Sequence, residues 1–263
     1  MRIVAIVAAR MSSSRLPGKV LDILAGKPAL QHIHERLLEC RLIDEIVIAT
    51  SQEPSDDAIS EFCQNRHLPC YRGSLDDVLD RYYQAAGKYK ADVIVRITGD
   101  CPLIDPVIVD AVVAGFLGGE YDIYGLSGEF PDGLDCTAYS FGAIEKAWKE
   151  AELPSEREHV GPYIEKNPDL FKSGGLTLYS DLSFMRWTLD EKADLELLKI
   201  VFDQLYREGK VFYTHEILEF VKTNPQIAKI NAGIVRNEGY LKSLLADEGY
   251  LKSLLAEQEN SDE

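Results

Sequence analysis

The chain of 263 residues is long enough for one large α/β domain or two small ones, and its 46% hydrophobic and 27% charged content is that of an ordinary globular protein. A formal net charge of −16 argues against duplex nucleic acid or an anionic membrane as the main partner, because both would repel the chain. No apolar run is long enough for a membrane span, and five cysteines without C-x-x-C spacing indicate reduced thiols, so we expect a cytoplasmic protein.

Short β-branched runs alternate with helical patterns through the first half of the chain. The predicted strands are Ile3–Ala8, Glu45–Thr50, Pro69–Tyr71, Val93–Ile97 and Tyr121–Tyr124, and the predicted helices are Pro28–Cys40, Ser55–Arg66, Ser74–Tyr89 and Pro106–Leu117. Pro28 and Pro106 suit first helical positions, and Ser55 and Ser74 suit N-caps. This alternation predicts an α/β fold with a mostly parallel central sheet flanked by helices, in which ligands bind beyond the carboxyl ends of the strands.

The second half of the chain is less regular. Strands are predicted at Asp135–Phe141, Leu176–Tyr179 and Phe184–Leu189, and helices at Gly142–Ala151, from a capping box at Ser155, at Glu191–Glu208 and at Thr214–Thr223. No linker rich in Gly, Ser or Pro divides the chain. We therefore expect residues 1–235 to form one domain that includes a small substrate-facing or dimerisation subdomain, followed by a helical tail at 236–263.

The tail contains one internal repeat. The segment EGYLKSLLA at Glu238–Ala246 recurs letter for letter at Glu248–Ala256. A period of ten residues turns the second copy about 80° around a helix, so the two leucine clusters would not share a face. This pattern predicts a duplicated terminal helical turn, frayed or packed on the body, with a dimer contact as the alternative.

The loop after the first strand is predicted to hold a polyphosphate. It carries Arg10, Arg15 and Lys19 among alanine, serine and glycine residues, which let backbone N–H groups approach a ligand closely. The Walker pattern and the G-x-G-x-x-G pattern are both absent from the sequence, so this is a nucleotide loop of another kind. The alternative for the arginines is surface salt bridging.

Two aspartates are candidate metal ligands. Asp100 follows an apolar strand in the turn Gly99-Asp100-Cys101-Pro102, and Asp105 stands ready to cap the next helix, which leaves Asp100 available for Mg²⁺. Asp190 ends another predicted strand and would supply a second carboxylate. The alternative is that Asp190 only caps the helix that follows it.

Together these three motifs resemble the cytidylyltransferases that make CMP-linked acidic sugars, including the synthetases of CMP-acylneuraminate and of CMP-3-deoxy-manno-octulosonate (Kdo). The resemblance covers about residues 1 to 230. It is strongest to the branch of spore coat polysaccharide biosynthesis protein F, which also shows Pro131-Asp132-Gly133-Leu134-Asp135 and Ser155-Glu156-Arg157-Glu158-His159-Val160.

The resemblance implies a sugar-nucleotidyltransferase fold and a Mg²⁺-dependent attack on the α-phosphate of CTP, with release of pyrophosphate. Matched residue by residue, it assigns the triphosphate to Arg10, Arg15 and Lys19, the metal to Asp100 and Asp190, and the nucleotide also to Ala8, Ala9 and Ser74. Lys19, Arg10 and Asp100 are the predicted catalytic residues. The sequence departs from the pattern at Cys101 and at Thr188, where sialic acid synthetases have a D-x-D.

The sequence indicates the acceptor-binding residues less specifically than the nucleotide-binding and metal-binding residues. The predicted acceptor-binding residues are Arg81, Asp132, Gly133, Tyr139, Glu158 and His159. Asp132-Gly133 reads equally well as a turn, Glu158 as part of a capping box, and His159 as a structural histidine. Arg81 is the candidate to reach a carboxylate or a phosphonate of the acceptor.

The sequence therefore predicts a homodimeric cytidylyltransferase that couples CMP to an acidic sugar or to another anionic acceptor such as an alkylphosphonate. The main alternative is a glycosyltransferase with a similar nucleotide-binding fold. The absence of a D-x-D sequence and the presence of Lys19 favour nucleotidyl transfer. A catalytically silent binding module is the third possibility, and it would be expected to lose Lys19 or Asp100.

Overall fold

The computed structural model describes residues 1–236 and 238–261, with side chains as far as residue 253. Its strands are β1 (Ile3–Ala8), β2 (Ile23–Leu24), β3 (Lys27–Pro28), β4 (Glu45–Ser51), β5 (Cys70–Gly73), β6 (Val93–Thr98), β7 (Ile123–Leu126), β8 (Cys136–Ser140) and β9 (Ser173–Leu176). Its α-helices are α1 (Ala29–Leu37), α2 (Asp57–Asn65), α3 (Val78–Tyr89), α4 (Pro106–Leu117), α5 (Phe141–Glu150), α6 (Pro154–His159), α7 (Pro162–Lys166), α8 (Lys192–Leu205), α9 (Thr214–Thr223) and α10 (Glu238–Ser261).

Seven of the described strands form one sheet in the order β5-β4-β1-β6-β8-β7-β9. Strands β5, β4, β1 and β6 run parallel, β8 is antiparallel to both β6 and β7, and β9 is parallel to β7. The predicted mostly parallel sheet flanked by helices is thus confirmed. Because β1 and β6 are parallel neighbours, the loops after Ala8 and after Thr98 leave the same edge of the sheet.

Both faces of the sheet are buried, which explains the unbroken apolar run of β1. Ala5 and Val7 belong to a core formed with α1, α2 and α4, while Val4 and Ile6 belong to a core formed with α3 and α5. A third core gathers Trp187 with apolar residues of α8 and α9 beside the sheet. None of the described helices combines the length and the apolar content needed to cross a membrane.

Most predicted elements form with small shifts at their ends, and α4 and α9 have the predicted bounds. Two N-cap predictions are wrong: helix α3 is capped by Asp77 instead of Ser74, and α2 begins after Asp56 instead of Ser55. Helix α6 likewise begins at Pro154, and the Glu156 carboxylate accepts hydrogen bonds from the backbone before it.

The predicted strand at Phe184–Leu189 is wrong. Its alternating Met185, Trp187 and Leu189 do pack inward, but the segment makes no ladder, only one isolated bridge between Asp132 and Arg186. Alternation of apolar and polar side chains indicates an extended backbone with one buried face. Here the third core buries that face, so no pairing with another strand is needed. Two further strands are displaced: β7 begins at Ile123 instead of Tyr121, and β9 ends at Leu176, where the prediction began.

Candidate active site

A cleft of about 600 Å³ opens beyond the carboxyl ends of β1 and β6. Its walls come from the loop after β1, the turn after β6, the Asp132–Asp135 turn, the end of α6 and the first turns of α10. Of the residues predicted from the sequence, the lining includes Ala8, Ala9, Arg10, Arg15, Lys19, Arg81, Asp100, Asp132, Glu158, His159 and Asp190. The topology therefore brings together groups that lie as far as 182 positions apart, at Ala8 and Asp190.

The loop after β1 is fixed by a buried aspartate that sequence reasoning missed. Asp56 accepts hydrogen bonds from the Met11 backbone at 2.7 Å and from the Ser51 hydroxyl at 2.5 Å. The Met11 carbonyl in turn accepts from Gly18, whose φ of +78° turns the chain so that Lys19 enters the cleft. These bonds position the loop cations before any ligand binds.

Lys19 lies between the two candidate metal ligands. Its Nζ donates to Asp100 at 2.8 Å and to Asp190 at 2.5 Å, and the residue is 8% exposed. Burial alone would lower the pKa of Lys19, but the charges of Asp100 and Asp190 outweigh it and raise that pKa above its usual value. Burial alone would raise the pKa of Asp100, and the Lys19 ammonium instead holds it well below the usual range.

Asp190 is oriented by Arg186, a residue that the sequence analysis did not single out. The Arg186 guanidinium donates to Asp194 at 2.9 Å, to Asp132 at 2.7 Å and, at 3.4 Å, to Asp190. Buried charges of this kind need partners, and Arg186 has three carboxylates. The i,i+4 spacing of Arg186, Asp190 and Asp194 was the available signal.

The other two loop cations lie at the rim of the cleft in more exposed ion pairs. Arg15 reaches Asp190 at 3.1 Å and Glu238 at 3.3 Å, and Arg10 reaches Glu158 at 3.9 Å. Such pairs contribute little in water and exchange readily for a ligand anion. Arg10 and Arg15 are therefore available to phosphate groups.

Three predicted residues stand outside the lining. Ser74 accepts from the Asp77 backbone and its carbonyl from Arg81, so it borders the cleft without facing it. Tyr139 is 2% exposed within the core under α3 and α5, so its position does not support the predicted contact with the acceptor.

Gly133, the third predicted residue outside the lining, lets two backbone segments pack closely. Its φ is +101°, and a Cβ there would stand 2.4 Å from the Thr188 nitrogen. The absence of a side chain lets the Asp132 turn pack on the segment after Arg186, where Trp187 donates to the Asp132 carbonyl at 2.7 Å. Gly133 thus holds Asp132 against Arg186, and burial and the charge of Asp135 raise the pKa of Asp132 to about 6.

The end of α6 meets the tail helix. Ser243 donates to Glu158 at 2.7 Å and lies 2.8 Å from His159 Nε2, and the Asp247 carboxylate accepts from the Ser155 backbone at 2.8 Å. Burial lowers the pKa of His159, so the imidazole is neutral at pH 7. The first copy of the repeat therefore packs on the body, and sequence reasoning missed that it forms a wall of the cleft.

The carboxylates fit a magnesium ion. Oxygens of Asp100 and Asp190 both lie within 2.8 Å of one ammonium nitrogen, so a cation is already accommodated between them. Mg²⁺ binds through one or two protein carboxylates together with substrate phosphates. Within residues 1–236 and 238–261, no group of three or more potential metal-ligating side chains offers a self-sufficient metal site.

Comparison with known proteins gives the family of this chain. A family model described as cytidylyltransferase matches residues 4–226. An uncharacterized protein of Methanocaldococcus jannaschii is 39% identical over 91% of this chain and 98% of its own length. Spore coat polysaccharide biosynthesis protein SpsF of Bacillus subtilis is 30% identical over 85% of this chain and 95% of its own length.

Two further matches are informative. The 3-deoxy-manno-octulosonate cytidylyltransferase of Pelobacter propionicus is 38% identical, but over only 44% of this chain and 45% of its own length. A solved cytidylyltransferase structure from Leptospira borgpetersenii has a TM-score of 0.82 and 34% identity, covering 87% of this chain and 97% of that one.

Proposed function

The chain belongs to the cytidylyltransferase family, and from this premise we propose that it transfers CMP from CTP to an anionic acceptor and releases pyrophosphate. The proposed acceptor is an acidic sugar, either a nonulosonic acid or a Kdo-like acid, and an alkylphosphonate is the other candidate. The product would serve the synthesis of a cell-surface polysaccharide or glycoconjugate. Mg²⁺ is the proposed cofactor.

One observation carries this proposal: Lys19, Asp100 and Asp190 meet at one point of the cleft, with the loop arginines beside them. Nucleotidyl transfer requires little covalent chemistry from the protein, so catalysis depends on charge stabilisation and on alignment of the reacting groups. A triphosphate bound along the loop after β1 would bring its α-phosphate to Lys19. Arg10 and Arg15 would then hold the departing pyrophosphate.

Each residue has a distinct proposed role. Lys19 donates to the α-phosphate as negative charge develops there, and Arg186 keeps Asp190 oriented toward Asp100. The two aspartates hold Mg²⁺, which when bound neutralises phosphate charge and favours ionisation of the acceptor hydroxyl. Neutral His159 at the rim is placed to accept a proton from the acceptor.

Two features support an anionic acceptor. The chain is strongly acidic, yet two arginines without an ion pair among the described side chains, Arg81 and Arg96, line the cleft beyond the triphosphate loop. The named relatives include a spore coat polysaccharide protein and a Kdo cytidylyltransferase, both consistent with an acidic sugar acceptor.

The test is pyrophosphate release from CTP, UTP, ATP and GTP in turn, each with a panel of nonulosonic acids, Kdo and aminoalkylphosphonates. We expect release with CTP and one class of acid, and release at least about a hundredfold slower with the Asp100→Asn variant. Release with every triphosphate would contradict the assigned base. Sugar transfer from a sugar nucleotide without pyrophosphate formation would instead support the alternative glycosyltransferase.

A further inference from the structure

Arg96 is a half-buried cation that lines the cleft and has no ion-pair or hydrogen-bond partner among the described side chains. It lies in β6 between Val95 and Ile97, whose side chains belong to the core on the other face of the sheet. Its Nε is buried without a hydrogen-bond partner, and its guanidinium lines the cleft. Asp135 and Asp100 are close enough to act on it by charge, yet within residues 1–236 and 238–261 no carboxylate forms an ion pair with it.

Among the buried arginines, Arg81 also has a buried Nε without a partner, and its one hydrogen bond goes to the Ser74 carbonyl at 2.8 Å. Arg36 and Arg186 differ. Arg36 donates to the carbonyls of Ile104 at 2.5 Å and Phe212 at 2.7 Å, and Arg186 is held by three carboxylates. Both therefore have the partners that a buried charge requires. The Nε of Arg96 is buried without a hydrogen bond, and an unmade hydrogen bond of a buried charged group is costly. Arg96 accordingly has the character of a binding group whose partner is a ligand anion.

The position of Arg96 indicates which anion. Its strand lies between β1 and β8: Arg96 stands opposite Ile6 on one side and opposite Thr137 on the other. The triphosphate loop follows β1, whereas the Asp132–Asp135 turn leads into β8 and His159 faces the cleft from α6. Asp132 and His159 are both predicted acceptor-binding residues, and Arg96 lines the cleft together with them. We therefore place the acceptor on the β8 and α6 side of Lys19.

We propose that the Arg96 guanidinium binds the anionic group of the acceptor, a carboxylate or a phosphonate, and so determines the acceptor class. This inference rests on the proposed function and deepens it. A guanidinium presents a planar fork of donors that matches a carboxylate with two parallel hydrogen bonds, whereas a lysine offers a point charge. An anion bound at Nε would also give that buried donor the hydrogen bond that it lacks.

The test uses Arg96→Met, Arg96→Lys and, as a matched control, Arg41→Met, which changes an exposed arginine outside the cleft. Calorimetry with CMP present measures binding of three probes: Kdo, N-acetylneuraminate and 2-aminoethylphosphonate. We expect Arg96→Met to raise the dissociation constant of the probe that binds by about tenfold to a hundredfold. This is the loss typical of a hydrogen bond to a charged group. The dissociation constant of CTP, measured separately, should equal that of the parent protein.

The lysine variant distinguishes the two anions. For a carboxylate, Arg96→Lys should weaken binding nearly as much as Arg96→Met, because the fork is lost. For a phosphonate, it should retain most of the affinity, because charge suffices. Thermal unfolding separates binding from structure: Arg96→Met should unfold at the parent's temperature or above it without ligand, since it removes a buried Nε that has no hydrogen bond.

Three results would overturn the inference: no probe binds the parent, Arg96→Met binds every probe as the parent does, or Arg96→Met weakens CTP as much as the probe. If Arg96→Met does not fold, Arg96→Gln replaces it, and unchanged affinity of that uncharged variant for every probe then overturns the inference. Failure of the proposed function is a separate result. It would appear as no pyrophosphate release by the parent, and the binding measurements do not depend on turnover.

Discussion

Replacing Lys19 by methionine removes the ammonium between Asp100 and Asp190 and keeps a side chain of similar length. The lost nitrogen makes two charge-assisted hydrogen bonds, at 2.8 Å and 2.5 Å, in a residue that is 8% exposed. Loss of one preorganised donor at a developing charge costs about 2.7–4 kcal/mol of transition-state stabilisation, so kcat should fall about a hundredfold to a thousandfold. The kcat of the Asp100→Asn variant should also fall by at least about a hundredfold, because the variant loses a proposed metal ligand.

The Lys19→Met variant should also respond differently to metal and to pH. Two carboxylates left without their ammonium attract a divalent cation more strongly, so half-maximal activity should need less Mg²⁺. Because Lys19 holds the pKa of Asp100 below its usual range, that pKa rises in the variant. Protonation of Asp100 then begins at a higher pH, and activity should be lost earlier as the pH falls.

The assay is pyrophosphate release at saturating CTP, with Mg²⁺ titrated from limiting to saturating concentration at each pH. Lys222→Met is the control, since Lys222 is an exposed residue of α9 outside the cleft. A kcat for Lys19→Met equal to that of this control would refute the assigned role of the ammonium. An unchanged kcat for Asp100→Asn would likewise remove the proposed metal ligand from the mechanism.

Three further predictions concern the residues that hold the cleft together. Gly133→Ala forces a Cβ to within 2.4 Å of a backbone nitrogen at a φ of +101°, so it should lower the Tm and the activity; Gly142→Ala, in a helix with open space, should not. Asp132 has a folded-state pKa of about 6, above its unfolded value, so the parent should lose stability as the pH rises from about 4 to 6. Asp132→Asn should abolish that slope in chemical unfolding, and an unchanged slope would contradict the assignment. Ser243→Ala breaks the link to His159, so backbone amides of α10 should exchange hydrogen faster by mass spectrometry.

The sequence was sufficient to predict an element where the residues of that element, or those next to it, determine its structure. The start of α4 follows from Asp105, which accepts from the Val107 backbone at 2.9 Å, and from Pro106 at the first helical position. Strand β1 follows from a run of apolar and β-branched residues buried on both faces. The loop cations were likewise readable, because Arg10, Arg15 and Lys19 lie within ten residues of one another.

The sequence by itself thus determined an α/β chain, its cationic loop and its two candidate metal carboxylates. Only the tertiary structure decided that Phe184–Leu189 is not a strand, since pairing requires a neighbouring strand and alternation reports only one buried face. Only it revealed that Arg96 has no ion-pair partner among the described side chains, and that Ser243 joins the tail to residues 84 and 85 positions away. A local pattern specifies how a backbone runs, whereas contacts between distant segments depend on how the whole chain packs.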